Sequence, residues 1–119
     1  MKVCVFGAGN MGARIAEVFL THDHEVTLVD IKDEFLAGGV KRIEGDLSFL
    51  VKKEKMTEER KTALLSGLKT SVDRNVAKDA DFVIEVILEN MDLKKDLLRE
   101  LDKICPAHTI FASNTSSLS

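Results

Sequence analysis

The chain has 119 residues, of which 45% are hydrophobic, and a formal net charge of -3. This length and composition predict one globular domain with a buried core. Charges of both signs are interspersed, which argues against a nucleic-acid groove or a polybasic membrane patch. No apolar run approaches the roughly 20 residues that span a bilayer. From the charge pattern and the lack of such a run, we expect neither a nucleic-acid nor a membrane partner.

The first 30 residues predict a βαβ unit. A short apolar run at 2–6 ends in a glycine and is typical of a strand buried on both faces. A helix at 11–21 and a second strand at 25–30 follow, and the crossover between the two strands is expected to be right-handed. The helix is expected to bury one apolar stripe, which consists of Met11, Ile15, Val18 and Phe19.

The middle of the chain, 32–67, predicts a helical hairpin inserted beside the sheet. Its apolar residues recur at spacings of three and four and form a narrow seam. Thr57 is expected to cap the second helix, because two glutamates follow it in the first helical turn. The seam is too short to favour a coiled coil; its members are Leu36, Val40, Ile43, Leu47 and Leu50.

The last 50 residues continue the alternation of strands and helices. A weak strand at 68–72 and a strong strand at 81–88 precede a helix that Asn90 can cap and Pro106 stops. A last strand is predicted at 108–112. The alternation predicts an α/β fold of the Rossmann type, a doubly wound parallel sheet truncated before its last strand or strands. The stripe of the last helix is Leu93, Leu97, Leu101 and Ile104.

A glycine-rich loop follows the first strand and opens the first helix, which is the context that a dinucleotide-binding motif requires. In this loop Gly7 would make the tight turn, Gly9 would let the backbone approach a pyrophosphate, and Gly12 would let the helix pack against the strand. Asn10 and Met11 complete the loop, where the amino terminus of the helix attracts an anion. The motif predicts a bound nicotinamide dinucleotide.

Asp30 ends the second strand, 18 residues after Gly12. An acidic side chain at this place accepts hydrogen bonds from the adenosine ribose and repels a 2′-phosphate, so NAD is favoured over NADP. The alternative is an aspartate that only starts the next turn. Lys32 lies close enough to accept a phosphate, which leaves NADP binding open.

Three segments resemble the 3-hydroxyacyl-CoA dehydrogenase family, in particular its 3-hydroxybutyryl-CoA dehydrogenases. Residues 113–117 match the family's S-N-T-S-S motif, 83–90 resemble its V-I-E-A-x-x-E-N segment, and 7–16 resemble its opening. The three segments occur in the family's order and cover essentially the whole chain. The resemblance implies an NAD-dependent oxidoreductase that converts the 3-hydroxyl of a 3-hydroxyacyl-CoA to a ketone.

The resemblance also implies roles for individual residues. Glu89 and Lys94 would lie near the nicotinamide ribose, Asn114 would border the nicotinamide, and the Ser116 hydroxyl would hydrogen-bond the reacting oxygen of the substrate. Asn114 and Ser116 are therefore the catalytic candidates. The alternatives are turn residues that satisfy their own backbone and, for Glu89 and Lys94, a solvated ion pair.

The helical hairpin would contact the CoA moiety in this family. Lys53 matches a family lysine and would meet a CoA phosphate, whereas Asp46 stands where relatives often have serine and would repel one. The alternative is a solvated helix face. Two other departures are Asp23, where relatives have a glycine in a left-handed turn, and Val86, where they have an alanine beside the cofactor crevice.

The family's general base, a histidine oriented by a glutamate, has no counterpart before Ser119. His22, His24 and His108 would lie at the opposite edge of the sheet. We therefore expect residues 1–119 to be an incomplete NAD-binding domain that binds NAD but does not turn over substrate. The missing part would be a helical substrate domain that makes the full protein a homodimer.

Two other functions stay open on the sequence. The first is an NAD-dependent dehydrogenase of a hydroxy acid that carries no CoA, and the second is a nucleotide-sensing Rossmann module without catalysis.

Cys4 and Cys105 show neither a metal spacing nor a disulfide framework. No metal site is expected, and reduced thiols without a signal peptide predict a cytoplasmic protein.

Overall fold

A computed structural model describes residues 1–87 and 91–113. Strands and helices alternate along most of the chain, as the sequence predicts. The order is β1 Lys2–Phe6, α1 Asn10–Thr21, β2 Glu25–Val29, α2 Asp33–Lys52, α3 Glu58–Ser66, β3 Leu68–Ser71, a 3-10 helix Arg74–Asp79, β4 Phe82–Glu85, α4 Met91–Ile104 and β5 Ile110–Ser113. None of the described helices is long and apolar enough to cross a membrane.

The strands form one parallel sheet with the order β3-β2-β1-β4-β5. The chain moves outward from β1 to β3 on one side and then returns to build β4 and β5 on the other. The switch in direction lies between β1 and β4, where open parallel sheets bind their ligands. This topology confirms the predicted Rossmann-type fold.

Helices cover both faces of the sheet, each over its own core. On one face α1 and the α2–α3 hairpin pack on β1 and β2, with Leu20, Leu28 and Ile43 at most 1% exposed. On the other face α4 and the 3-10 helix bury Leu97 and Leu101 against the sheet. The carboxyl ends of the strands remain as the edge where a crevice can form.

The buried stripe predicted for α1 is wrong at Met11 and Val18, whereas Ile15 and Phe19 are half-buried and pack against the core. Met11 and Val18 are 46% and 56% exposed, whereas the buried face carries small residues, Ala13 and Ala16, together with Leu20. Small side chains let the helix approach the sheet closely, so the helix turns them inward rather than its larger apolar residues.

Helix α4 is also rotated from its predicted orientation. Leu93 is 49% exposed, while its neighbour Lys94 is only 4% exposed. Leu97 and Leu101 are buried as predicted. The strands before and after α4 also differ from their predicted ranges. β4 ends at Glu85 rather than at 88, and β5 begins at Ile110 rather than at 108. The predicted cap Asn90 lies outside the described residues.

The helical hairpin and the turn before β2 are confirmed. The Thr57 hydroxyl caps α3 by accepting from the Arg60 amide at 3.1 Å. Asp23 adopts the left-handed conformation that its position requires, with φ of 66°. Its carboxylate accepts a 2.7 Å hydrogen bond from the Arg60 guanidinium, which ties the end of α1 to α3.

Two adjacent glycines in α2 provide a matched pair for testing how closely this helix packs. A Cβ on Gly39 would lie 2.8 Å from Leu28 Cδ2 and 2.9 Å from the Ala8 carbonyl oxygen, whereas one on Gly38 would meet only Arg42 Nη1 at 3.9 Å. We expect Gly39→Ala to lower the free energy of unfolding by about 1–3 kcal/mol through overpacking.

The neighbouring substitution Gly38→Ala should instead raise the free energy of unfolding by about 0.5–1 kcal/mol, because alanine is the better helix former. Urea unfolding followed by circular dichroism measures both changes. Equal effects of the two substitutions would show that α2 does not approach the glycine loop as described.

Candidate cofactor site

The glycine loop turns sharply at Gly7, which needs glycine for two reasons. Its φ is +117°, and a Cβ would lie 2.9 Å from Val86 Cγ2. The Gly7 amide donates to the Val29 carbonyl at 2.8 Å, which fixes the loop at the carboxyl end of β2. Val86 therefore lines the underside of the loop, as expected for a residue beside the crevice.

Gly12 allows α1 to start directly against the loop. A Cβ there would lie 1.7 Å from the Gly7 carbonyl oxygen, closer than any contact allows. Gly9 differs, since a Cβ on it would meet no described atom within 4 Å. The two glycines thus have separate roles: Gly12 is required for packing, and Gly9 borders free space.

That free space lies at the amino terminus of α1. Gly9 is the residue before the helix, and no side chain of the described residues caps it. The first-turn amides, including those of Asn10 and Met11, lack partners within the helix and carry its positive dipole. Open space beside unpaired amides is a cradle for an anion, which fits the pyrophosphate of a dinucleotide.

Asp30 holds the glycine loop in place through its carboxylate. Its Oδ2 accepts from the Ala8 amide at 2.8 Å, and its Oδ1 accepts from the Ile31 amide at 2.8 Å. The bond from the Ile31 amide forms the turn that the sequence analysis gave as the alternative role of Asp30. The bond from the Ala8 amide ties β2 to the glycine loop. A carboxylate accepts about four hydrogen bonds in all, so capacity remains for ribose hydroxyls.

A buried charged cluster, which the sequence analysis missed, stands at the carboxyl end of β4. Glu85 is 1% exposed, and its Oε2 lies 3.7 Å from Lys94 Nζ. Its Oε1 accepts from the Ser113 hydroxyl at 2.8 Å, and its Oε2 accepts from the Ile87 amide. One acidic residue within an apolar strand was the available signal, because a buried carboxylate requires a partner.

The predicted cofactor residues fall into three groups. Gly7, Gly9, Asn10, Met11, Gly12 and Asp30 come together at one edge of the sheet. Lys94 lies at the same edge but in a buried pair, so the alternative of a solvated pair is wrong for it. The remaining candidates, Glu89, Asn114 and Ser116, lie outside the described residues.

Lys53, the predicted CoA contact, lies away from this edge. It follows the last residue of α2, and its Nζ is 5.5 Å from the centroid of the exposed Phe49 ring. Phe49 is a second residue that the sequence analysis missed. An exposed aromatic ring beside a lysine offers a stacking face together with a positive charge.

The histidines lie at the amino edge of the sheet, as predicted. His24 Nδ1 is 3.1 Å from the amino terminus, and His108 Nε2 is 2.9 Å from Asp81 Oδ1. His22 contacts the Val18 carbonyl at the end of α1. Within the described ranges no three potential ligands form a metal site.

Comparison with known proteins assigns the chain to a family. A family model described as 3-hydroxyacyl-CoA dehydrogenase, NAD binding domain, matches residues 2–119. The mitochondrial hydroxyacyl-coenzyme A dehydrogenase of Rattus norvegicus is 47% identical over 123 residues, which cover 98% of this chain and 39% of that protein. The glyoxysomal fatty acid beta-oxidation multifunctional protein of Brassica napus is 39% identical over 98% of this chain and 16% of its own length.

Solved structures agree with the sequence relatives. (S)-3-hydroxybutyryl-CoA dehydrogenase from Ralstonia eutropha superposes with a TM-score of 0.91 at 40% identity, over 97% of this chain and 41% of that one. A diketoreductase superposes with a TM-score of 0.84 at 36% identity, over 98% of this chain and 42% of that one.

The chain thus spans about two fifths of the single-function relatives and about a sixth of the multifunctional ones. The matched part is the NAD-binding part, and it contains the glycine loop and Asp30. The 119 residues belong to the NAD-binding domain family of the 3-hydroxyacyl-CoA dehydrogenases.

Proposed function

We propose that this chain is the NAD-binding domain of an enzyme that oxidises the 3-hydroxyl of a 3-hydroxyacyl-CoA to a ketone. The observation that carries the proposal is the open cradle at Gly9, beside the uncapped amino terminus of α1 and within the reach of Asp30. Relatives named as dehydrogenases of hydroxyacyl-CoA and 3-hydroxybutyryl-CoA support the substrate class.

Bound NAD supplies the acceptor for the hydride that leaves the substrate carbon. The chain's own residues bind and orient it: the loop amides hold the pyrophosphate, and Asp30 accepts from the adenosine ribose. We include Glu89 and Lys94 near the nicotinamide ribose in this proposal. Asn114 would border the nicotinamide, and Ser116 would hydrogen-bond the reacting oxygen.

The proton of the substrate hydroxyl needs an acceptor beside the crevice. The three histidines lie at the far edge of the sheet. His24 is beside the amino terminus of the chain, and His108 is beside Asp81. We therefore propose that residues 1–119 by themselves bind NAD without turning over substrate. The base would come from a part of the protein outside this stretch, which we propose to be a helical substrate domain that also forms a homodimer.

The compartment and the CoA contact belong to the same proposal. Cys4 and Cys105 are both free thiols, which supports a reducing compartment and our proposal of a cytoplasmic protein, although relatives named above are mitochondrial and glyoxysomal. Lys53 and the Phe49 ring beside it are the residues proposed to meet the CoA moiety.

The cofactor preference tests the proposed role of Asp30. We expect the chain to bind NADH at least tenfold more tightly than NADPH, because the Asp30 carboxylate repels a 2′-phosphate. Asp30→Ala should weaken NADH binding about tenfold or more, since it removes both the ribose acceptor and the bond to the Ala8 amide. Isothermal titration calorimetry with both reduced cofactors gives these affinities.

The exposed Asp33 in the first turn of α2 is the matched control. Asp33→Ala removes one negative charge nearby and should leave NADH binding within about twofold, as for a solvent-exposed charge. Tighter binding of NADPH than NADH by the unmodified chain would overturn the NAD preference.

The structural match to a diketoreductase favours one second candidate, an oxidoreductase whose substrate carries no CoA. The two candidates differ in whether coenzyme A binds. Under the acyl-CoA proposal, coenzyme A binds the chain and Lys53→Ala weakens that binding. Under the second candidate, coenzyme A fails to bind while NADH still does.

A further inference from the structure

The carboxylate of Glu85 joins three segments at the carboxyl edge of the sheet. It contacts β5 through the Ser113 hydroxyl at 2.8 Å and α4 through the Lys94 ammonium at 3.7 Å. It also accepts from the Ile87 amide, in the chain that leaves β4. Glu85 and Ser113 are partners in the register of the two strands as well. One side chain thus fixes β5, α4 and the residues after β4 relative to one another.

Each of these segments leads to a residue of the proposed nicotinamide site. Lys94 is one of those residues itself. Asn114 follows Ser113 directly in the sequence, and Glu89 comes two residues after the β4 exit at Ile87. The Glu85 carboxylate therefore contacts every segment that carries a proposed nicotinamide contact.

The carboxylate lies on one side of the switch in strand order. Glu85 is the register partner of Phe6, the last residue of β1 before the glycine loop, whereas Asp30 follows β2 on the other side of β1. Strands β2 and β4 are two positions apart, which is about 10 Å. A dinucleotide lies across the switch point, so adenosine at β2 leaves the nicotinamide half over β4 and β5. A change at Glu85 can therefore affect one half of the cofactor and spare the other.

Stability alone gives little reason to bury these charges. Glu85 is 1% exposed and Lys94 is 4% exposed. The cost of removing two charges from water offsets much of their attraction, and apolar replacements of buried ion pairs are often neutral or stabilising. A hydrogen-bonded polar network does, however, hold its members in one geometry. At the ligand-binding edge of a sheet, such a network is suited to orienting the residues of a site.

We propose that Glu85 is a positioning residue for the nicotinamide half of the cofactor. Its carboxylate holds the Lys94 ammonium in place, together with Ser113 at the start of the segment that contains Asn114. Glu85 acts through these residues and does not touch the cofactor. The inference rests on the proposed function, because the nicotinamide contacts of Lys94 and Asn114 belong to it.

Comparison of NADH with ADP tests the proposal on the 119-residue chain. ADP carries the adenosine and the pyrophosphate without the nicotinamide riboside, so its affinity reports on the glycine loop and Asp30. We expect the unmodified chain to bind NADH more tightly than ADP. Glu85→Gln keeps the size of the side chain and removes its charge, and should weaken NADH binding about tenfold or more while ADP binding stays within about twofold. Isothermal titration calorimetry measures both affinities.

The matched control is Glu100→Gln, which makes the same change on the surface of α4. The Glu100 carboxylate is half exposed and pairs with Arg74 at 2.5 Å. Its loss should leave both affinities within about twofold, as for an exposed ion pair. A merely structural role of Glu85 would reduce NADH and ADP binding by the same factor, because unfolding removes both sites together.

Ser113→Ala is a milder variant that leaves the charges of Glu85 and Lys94 in place. It keeps the test valid if Glu85→Gln does not fold, which circular dichroism reveals. The lost hydrogen bond should weaken NADH binding about threefold and leave ADP binding unchanged. Ser113→Thr retains a hydroxyl and should restore the NADH affinity.

The outcomes separate this inference from the proposed function. Equal changes in NADH and ADP binding, or no change, in both Glu85→Gln and Ser113→Ala would overturn the positioning role while the proposed function stands. Equal affinities of the unmodified chain for NADH and ADP would overturn the positioning role as well. An unmodified chain that binds neither ligand would overturn the proposed function itself.

Discussion

Substitution of Gly12 by alanine is expected to lower the free energy of unfolding more than a methyl group added at any other position. The added Cβ would lie 1.7 Å from the Gly7 carbonyl oxygen and 2.7 Å from its carbon. Both are backbone atoms of a loop fixed to β2, so the clash moves α1 off the sheet. We expect a loss of about 3 kcal/mol or more in the free energy of unfolding, together with loss of NADH binding.

Gly9→Ala is the matched control, because the same methyl group there meets no described atom within 4 Å. Its free energy of unfolding should stay within about 1 kcal/mol of the original chain. NADH binding should nevertheless fall at least tenfold, since the methyl group occupies the space left for the pyrophosphate. Urea unfolding and NADH titration of both variants separate packing from binding. A Gly9→Ala variant with unchanged NADH affinity would contradict the cradle.

The second large effect is expected at the buried pair of Glu85 and Lys94. Glu85→Ala removes the carboxylate that lies 3.7 Å from the Lys94 ammonium, which is itself only 4% exposed. Removal of one partner from a buried pair costs about 3–5 kcal/mol. That is a large part of the roughly 5–15 kcal/mol that stabilises a domain. Urea unfolding should show the loss directly.

Two controls define the cause of this loss. Glu25→Ala removes an exposed glutamate from β2 and should change the free energy of unfolding by no more than about 0.5 kcal/mol. The double variant Glu85→Leu, Lys94→Leu should recover much of what Glu85→Ala loses, because no buried charge is then left unpaired. A double variant less stable than Glu85→Ala would show that other contacts of these residues matter more.

The fold could be predicted because its signals are local. The strands are short apolar runs, and Thr57 lies directly before the helix it caps, so neighbours in sequence determine both. The glycine loop was recognisable for the same reason. Its three glycines meet constraints set within six residues, at Gly7, Gly9 and Gly12.

The features that the sequence did not reveal depend on how distant segments meet. The buried face of α1 carries Ala13 and Ala16, whose small side chains give a weaker hydrophobic pattern than Met11 and Val18. The pairing of Glu85 with Lys94 requires both the strand register and the rotation of α4.

Asp30 limits how the cofactor preference of this domain can be changed. An engineer who seeks NADP use would replace the carboxylate that repels the extra phosphate, but the same side chain accepts the Ala8 amide at 2.8 Å. A serine or alanine at this place frees room for the phosphate and also releases the glycine loop. Cofactor switching here therefore needs a second acceptor for that amide, and single substitutions will exchange one defect for another.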